Sequence, residues 1–116
     1  MSDNIILNKS KSFAVRIIKL YQYLCANPHE FILSKQLLRS GTSIGANARE
    51  AVSSYSKKEF AAKMSIALKE ANETAYWLEL LVETGYINKE QFNSIYADTE
   101  ELIKLLVSIV KSSKPQ

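Results

Sequence analysis

The sequence predicts an all-α fold, an antiparallel up-down-up-down bundle of four helices that forms a single domain over residues 1–116. The 116 residues are 47% hydrophobic, which suits one core, and only three glycines and two prolines interrupt them, too few for the turns of an all-β chain. Apolar residues also recur at helical spacing in four segments with short connections, which place successive helices side by side and antiparallel.

The first helix is predicted over residues 8–27, where Pro28 ends it. One of its faces is apolar because hydrophobic residues recur every three or four positions, at Phe13, Ile17, Leu20 and Leu24. This pattern is typical of an amphipathic helix that packs against a core.

The second and third helices are predicted over residues 34–53 and 57–84. Ser34 is the candidate N-cap of the second helix. The stretch "SKKE", which begins at Ser56, has the form of a capping box and starts the third helix. Gly85 is placed to end that helix in the left-handed conformation.

The fourth helix is predicted over residues 89–111, after the capping residue Asn88 with Gln91 three positions later. Its apolar seam alternates steps of three and four, as in a coiled coil, through Phe92, Ile95, Thr99, Leu102, Leu106 and Ile109.

The stretch "RSGTSIGANARE", residues 39–50, holds two of the glycines. A phosphate-binding loop needs Lys and Ser or Thr directly after its second glycine and a preceding strand, and neither is present in the sequence pattern. As part of a helix, Gly41, Gly45 and Ala48 form a small-residue groove that lets a neighbouring backbone come close. We therefore interpret the stretch as a packing element.

The polar residues of this stretch share one stripe of the second helix. If helices two and three form a hairpin that turns near Tyr55, Arg39 faces Glu70 or Glu73, and we expect a charge-assisted pair that fixes the helix register. The predicted structural polar network comprises Arg39, Ser43, Asn47, Glu50, Glu70 and Glu73.

A second apolar stripe on the third helix contains Ile66, Trp77 and Leu80. A helix in a four-helix bundle needs one buried stripe, so a second one with the only tryptophan predicts a subunit interface. The alternative is that Trp77 widens the ordinary core, and the sequence leaves both interpretations open.

Charge is unevenly distributed along the chain, whose formal net charge is +3. Residues 1–69 hold 11 Lys/Arg against 4 Asp/Glu, whereas residues 70–116 hold 4 against 8. The first helix has no acid between residues 8 and 27. Its cations are the candidate nucleic-acid-binding residues Lys9, Lys11, Arg16 and Lys19. A charged face that is merely solvated is the alternative.

Catalysis is not indicated. Cys25 and His29 are the only residues of their types, so no metal site or catalytic constellation is expected, and no cofactor. The sequence shows neither a signal peptide nor a membrane span, and the lone cysteine fits a reducing compartment, so we expect a cytoplasmic protein with no membrane partner.

The segments "LLRSGTSIGANAREA" and "SKKEFAAKMSIALKEANETAYWLELL" resemble bacterial four-helix bundle proteins known as 23S ribosomal RNA intervening-sequence proteins. The pattern of that family, Arg-Ser-x-x-Ser-Ile-x-x-Asn and then Glu, falls on Arg39, Ser40, Ser43, Ile44, Asn47 and Glu50, and its third-helix signature falls on Glu70, Glu73, Tyr76 and Trp77. Many relatives have Glu-Gly where this chain has Glu50-Ala51.

The resemblance implies a closed cyclic homo-oligomer, a pentamer, with no established enzymatic activity. A related branch serves as the accessory protein of diversity-generating retroelements, together with a reverse transcriptase. We therefore expect a non-enzymatic homo-oligomer that binds structured RNA or DNA through a basic face with little sequence specificity. The alternative is a protein-interaction scaffold or an accessory subunit for a nucleic-acid enzyme such as a reverse transcriptase.

Overall fold

The structure, a computed structural model, describes residues 2–113, and side chains from residue 5 onward. Four helices fill this range, with no strand among the described residues, so the all-α prediction is confirmed. In chain order they are α1 (Ser2–Ala26), α2 (Leu33–Val52), α3 (Lys57–Glu83) and α4 (Lys89–Ser113). The first helix begins at Ser2 rather than near residue 8, and the last continues past residue 111.

Each helix packs against its neighbours in sequence, and α1 also contacts α4, which closes the bundle. The α1–α4 contact is the sparsest of the four. Ion pairs show that these two helices are antiparallel, because Lys9 meets Glu101 while Arg16, farther along α1, meets Asp98, which comes earlier on α4. The bundle is elongated, with principal extents of 47 × 20 × 19 Å.

The core runs along the bundle axis, and all four helices contribute to it. Its large aliphatic side chains that are at most 1% exposed include Ile17, Leu24, Leu37, Ile44, Leu78, Leu81, Leu102 and Leu106. The predicted seam of α4 is buried from Ile95 to Ile109, and Phe92 at its start is partly buried against the core.

Two of the predicted helix starts depend on local capping, and both are present. Ser56 Oγ accepts a hydrogen bond of 3.0 Å from the Glu59 amide, and the side chains of Asn88 and Gln91 each accept one of 2.8 Å from the other's amide. Gly85 follows α3 with a φ of 82°, the left-handed conformation predicted for it.

The prediction of Ser34 as the N-cap of α2 is wrong. Ser34 lies in the first turn, fully buried, and its hydroxyl donates to the Glu30 carbonyl oxygen over 2.7 Å. The free amides of this turn are instead satisfied by the Glu30 carboxylate, which accepts from the amides of Ile32, Leu33 and Ser34. A carboxylate at a helix N-terminus is favoured by hydrogen bonding and by the helix dipole.

The small-residue groove of α2 receives α1. A Cβ atom added at Gly41 would lie 2.7 Å from Ile17 Cγ1, and one added at Gly45 would lie 3.2 Å from Ser10 Oγ. Ala48, the third member of the groove, is fully buried. The close approach predicted from the two glycines is therefore confirmed, and α1 is the helix that makes it.

Candidate nucleic-acid interface

Two of the four predicted nucleic-acid-binding cations are paired with acids of α4. Lys9 Nζ lies 3.2 Å from Glu101 Oε1. Arg16 Nη1 lies 2.6 Å from Asp98 Oδ2, and Arg16 Nη2 donates to Ser94 Oγ over 2.8 Å. The side chains of these two ion pairs are 40–57% exposed, so solvent weakens the attraction within each pair. Each of the two cations nevertheless already has an anionic neighbour.

The other two cations lie on opposite sides of α1. Lys19 lines the groove between α1 and α4, where Glu90 and Gln91 are among its neighbours. Lys11 lines the groove between α1 and α2, together with Arg49. Lys9, Arg16 and Lys19 therefore lie on the side of α1 that faces α4, and Lys11 lies on the side that faces α2.

The groove between α1 and α2 combines positive charge with a floor of small residues. Its lining is Leu7, Ser10, Lys11, Ala14, Thr42, Gly45, Ala46 and Arg49. None of these is acidic, and no ion pair of Lys11 or Arg49 is found within the described part of the chain. The groove between α1 and α2 is thus the more strongly cationic of the two surfaces.

The sequence pattern does not indicate Arg49 as a site residue. This residue lies in the last turn of α2 and outside the polar stripe, so in the sequence it is indistinguishable from the cations commonly found near helix C-termini. The antiparallel pairing of α1 and α2 would have indicated it, since Gly45 faces Ser10 and the next turn of α2 then lies beside the start of α1.

The predicted contact of Arg39 is present and involves both candidate acids. Arg39 Nη1 lies 3.1 Å from Glu70 Oε1, and Nη2 binds Glu73 Oε2. Trp77 Nε1 donates to the same Glu73 oxygen over 3.0 Å. The guanidinium is 49% exposed and Glu70 only 16%, so the cluster lies at the boundary between core and solvent, where α2 meets α3.

The rest of the predicted polar network is divided into separate contacts. Ser43 Oγ donates to the Arg39 carbonyl oxygen over 2.5 Å, and Asn47 Nδ2 donates to the Ser43 carbonyl oxygen over 2.9 Å, so both bind their own helix. Glu50 pairs with Lys63 at 2.7 Å, and this carboxylate raises the Lys63 pKa by hydrogen bonding and by its charge. The single network predicted from residue 39 to residue 50 is therefore wrong, because residues on one stripe need not touch.

The three predicted interface residues differ in exposure. Ile66 is 41% exposed, whereas Trp77 and Leu80 are partly buried, and Trp77 packs against the core. Tyr76, 53% exposed, lies beside Trp77 with the ring centroids 5.2 Å apart. Within one chain, part of the Trp77 side chain thus packs against the core. Its role in a subunit interface stays a prediction.

Metal-ligating residues do not cluster in the described part of the chain, where no group of three or more His, Cys, Asp or Glu side chains is placed to hold an ion. Cys25 Sγ lies 3.9 Å from Ser34 Oγ in a partly buried position, and His29 is exposed. None of the helices between residues 2 and 113 is both long and apolar enough to cross a bilayer.

The sequence profile of the 23S rRNA-intervening sequence proteins matches residues 2–108, which cover all but the last turn of the bundle. The chain belongs to the 23S rRNA-intervening sequence protein family. No curated protein matches the chain.

A crystal structure from the S23 ribosomal protein family is also similar to this member of the 23S rRNA-intervening sequence family. It is a protein with unknown function from Bacteroides thetaiotaomicron VPI-5482, solved at 1.70 Å resolution. The two chains are 58% identical, with a TM-score of 0.94, and the alignment covers 96% of this chain and 99% of the other. The similarity therefore extends over nearly the whole bundle.

Proposed function

We propose that the protein is a non-enzymatic, cytoplasmic homo-oligomer that binds structured RNA or DNA through the groove between α1 and α2. The observation that carries the proposal is the placement of Lys11 and Arg49 on one groove whose lining contains no acid. Phosphate contacts supply most of the affinity in sequence-independent binding, and each such contact releases counterions.

The floor of this groove suits backbone recognition. Gly45 and Ala46 are small, so a phosphate chain can approach the backbone of α2 closely, whereas the Ser10 and Thr42 hydroxyl groups already donate to carbonyl oxygens of their own helices. The lining presents no side-chain amide or carboxylate, and Arg49 is its one planar group able to read a base edge. Little sequence preference is the expected consequence.

Oligomerisation would strengthen such binding. A ring repeats each groove around its axis, so several weak phosphate contacts act together and raise the effective affinity. The stripe of α3 that holds exposed Ile66 and the partly buried Trp77 and Leu80 supports an interface on the outer side of this helix. A closed homopentamer is what the family resemblance implies for this chain.

The test is binding of a labelled RNA hairpin as salt is varied, with light scattering and absorbance to give the mass of the protein and of bound RNA. The double variant Lys11→Gln/Arg49→Gln should bind the RNA more weakly. The slope of log affinity against log salt concentration should also become shallower, by about 0.7–0.9 for each phosphate contact that is lost. Lys9→Gln is the matched control, since Lys9 is already paired with Glu101. Wild-type protein that fails to bind at low salt, or binding that ignores salt, would disprove the proposal.

A second candidate function is a scaffold or accessory subunit for a nucleic-acid enzyme such as a reverse transcriptase. It is favoured by an apolar surface at the end of the bundle that holds the α1–α2 connection, where Phe31 is 52% and Ile32 80% exposed, beside Tyr86. Exposed apolar residues in a cluster are typical of protein contact sites. The test is a pull-down with a purified reverse transcriptase after nuclease treatment. Retention of the enzyme by the wild-type protein but not by Ile32→Ser would support this function. Failure of the wild-type protein to retain the enzyme would exclude it.

A further inference from the structure

The short connection between α2 and α3 presents an aromatic side chain that has no packing role. Tyr55 lies at its tip and is fully exposed, the most exposed of the large hydrophobic residues in the described chain. Burial of an aromatic side chain is worth several kcal/mol in general, so a tyrosine left wholly in water contributes nothing to the fold. Its ring is available on both faces for a ligand.

The connection that carries Tyr55 is held in place by hydrogen bonds on both sides. The Ser54 amide donates to the Ala51 carbonyl oxygen over 3.1 Å, and Ser54 Oγ donates to the same oxygen over 2.6 Å. Ser56 is fixed as the N-cap of α3. A ligand that stacks on Tyr55 therefore meets a backbone that is already ordered, which reduces the entropy lost on binding.

Positive charge accompanies the ring. Lys57 and Lys58 follow within three residues, both are exposed, and neither has an ion pair within the described residues. The acid nearest in sequence, Glu59, acts on Lys63, whose pKa is raised mainly by Glu50 and also by Glu59. Arg49, a cation of the groove between α1 and α2, lies in the last turn of α2, at the same end of the bundle as this connection.

We infer that the tip formed by Tyr55, Lys57 and Lys58 binds unpaired nucleotides, with the Tyr55 ring stacked on a base and the two ammonium groups on the adjoining phosphates. The inference rests on the proposed function and specifies the part of the nucleic acid that reaches this end of the bundle. A base within a duplex has both faces covered by its neighbours, whereas an unpaired base offers its face to an aromatic side chain. The duplex portion lies in the groove, and a loop or single-stranded end lies over the tip.

In a closed ring this arrangement is multiplied. Cyclic symmetry relates every subunit by rotation about one axis, so all the α2–α3 connections lie at one level along that axis. Single-stranded nucleic acid that follows this circle meets one tyrosine and two lysines per subunit, which favours cooperative contact with several successive bases.

The test compares a short unstructured oligonucleotide with a blunt duplex of the same length by fluorescence anisotropy at fixed salt. Tyr55→Ala should bind the single strand about tenfold more weakly and the duplex as well as wild type does, because stacking is lost and the phosphate contacts remain. Tyr55→Phe keeps the ring and should bind both like wild type. Tyr23→Ala removes an exposed tyrosine of α1 toward the opposite end and should change neither affinity.

The lysines are tested separately. Lys57→Gln with Lys58→Gln should weaken binding of the single strand and reduce its salt dependence. If Tyr55→Ala binds the single strand as well as wild type does, this inference is overturned. If duplex binding still depends on Lys11 and Arg49 in that case, the proposed function stands. Wild-type protein that binds neither nucleic acid at low salt would overturn both. Since Tyr55 is fully exposed, circular dichroism of the variant should match the wild type.

Discussion

Ser40 of α2 and Thr74 of α3 are hydrogen-bonded to each other inside the bundle, where Thr74 Oγ1 donates to Ser40 Oγ over 2.9 Å and both residues are fully buried. Each hydroxyl also lies near a carbonyl of its own helix, Thr74 Oγ1 at 2.8 Å from the Glu70 oxygen and Ser40 Oγ at 3.4 Å from that of Leu37. This contact is adjacent to the Arg39 cluster, so the two together set how α2 and α3 are aligned.

The hydroxyl pair should show energetic coupling. We expect Thr74→Val to lower the free energy of unfolding by about 1 kcal/mol, and the double variant with Ser40→Ala to lose less than the sum of the single changes, by about 0.5–1.5 kcal/mol. Urea denaturation of the wild type, the two single variants and the double variant measures this coupling. The control is Thr99→Val, because Thr99 is equally buried but donates only to Ile95 of its own helix. Additive effects would show that the pair does not act as a unit.

The two glycines of α2 should respond differently to alanine. At Gly41 an added Cβ would lie 2.7 and 2.8 Å from two carbons of the fully buried Ile17 side chain, so we expect a loss of about 1–3 kcal/mol despite the better helix propensity of alanine. At Gly45 the nearest atom is Ser10 Oγ at 3.2 Å, and the gain in propensity should offset most of the crowding. Equal melting temperatures for Gly41→Ala and Gly45→Ala would contradict this account.

Glu30 should be important for the start of α2. Glu30→Gln keeps the size of the side chain but removes the charge that binds the amides of Ile32, Leu33 and Ser34, and we expect it to lower the free energy of unfolding by about 1–2 kcal/mol. Amide exchange in the first turn of α2 should become faster. The same substitution at the exposed Glu100 should have little effect on stability, and an equal loss there would show that net charge rather than capping is responsible.

Tyr96 should make stability depend on pH in the alkaline range. Its hydroxyl donates to Glu79 Oε2 over 2.6 Å, and this hydrogen bond, with smaller effects of burial and of negative charge, raises the Tyr96 pKa from 10.0 to about 12. A group whose pKa is raised on folding stabilises the fold below its unfolded pKa and loses this contribution as the pH rises through the folded value. Wild type should therefore exceed Tyr96→Phe in stability at pH 7–9, with the difference lost between about pH 10 and 12.

Spectrophotometric titration of tyrosinate provides an independent measurement of this shift. The component that ionises near pH 12 should be absent from Tyr96→Phe. Glu79→Gln should move it toward the ordinary tyrosine range, since the amide carries no charge to oppose ionisation. A stability difference that is constant up to pH 12 would mean that the hydroxyl is not held by Glu79.

Much of the fold could be predicted because its signals are local or periodic. Ser56 and Asn88 lie directly at the helix starts that they cap, and the contact of Arg39 with Glu70 and Glu73 follows from the register of a single antiparallel hairpin. The sequence does not indicate the role of Glu30, because its carboxylate reaches forward to amides two to four residues away and no short motif marks that geometry.

The candidate site was harder to predict because it depends on contacts that close the bundle. Lys9 and Arg16 look unopposed in the sequence, yet α4, at the other end of the chain, supplies Glu101 and Asp98. Distance along a helix matters as well, since residues 39 and 50 share a stripe but are about 16 Å apart at 1.5 Å per residue. Helical rotation predicts which side a residue faces, and the axial rise decides what it touches.

The Arg39 cluster leads to the most informative substitution. Arg39→Met keeps much of the aliphatic length but leaves the partly buried Glu70 and Glu73 without their shared cation, and we expect a loss of about 1–2 kcal/mol in urea denaturation. That range lies below the cost of breaking a fully buried pair because the guanidinium is 49% exposed. The stability of Arg39→Lys should lie between those of wild type and Arg39→Met, since an ammonium group keeps the charge but cannot present the planar fork that binds both carboxylates.

Lys63→Met is the matched control, because Lys63 forms a single solvent-screened pair with the exposed Glu50 at the same α2–α3 boundary, and its loss should leave stability close to that of wild type. Light scattering on the same samples tests the adjoining interface. Trp77 donates to Glu73, so loss of Arg39 should displace both and lower the oligomer mass if Trp77 lies between subunits. Arg39→Met with wild-type stability and mass would show that the cluster fixes neither the register of the helices nor the assembly.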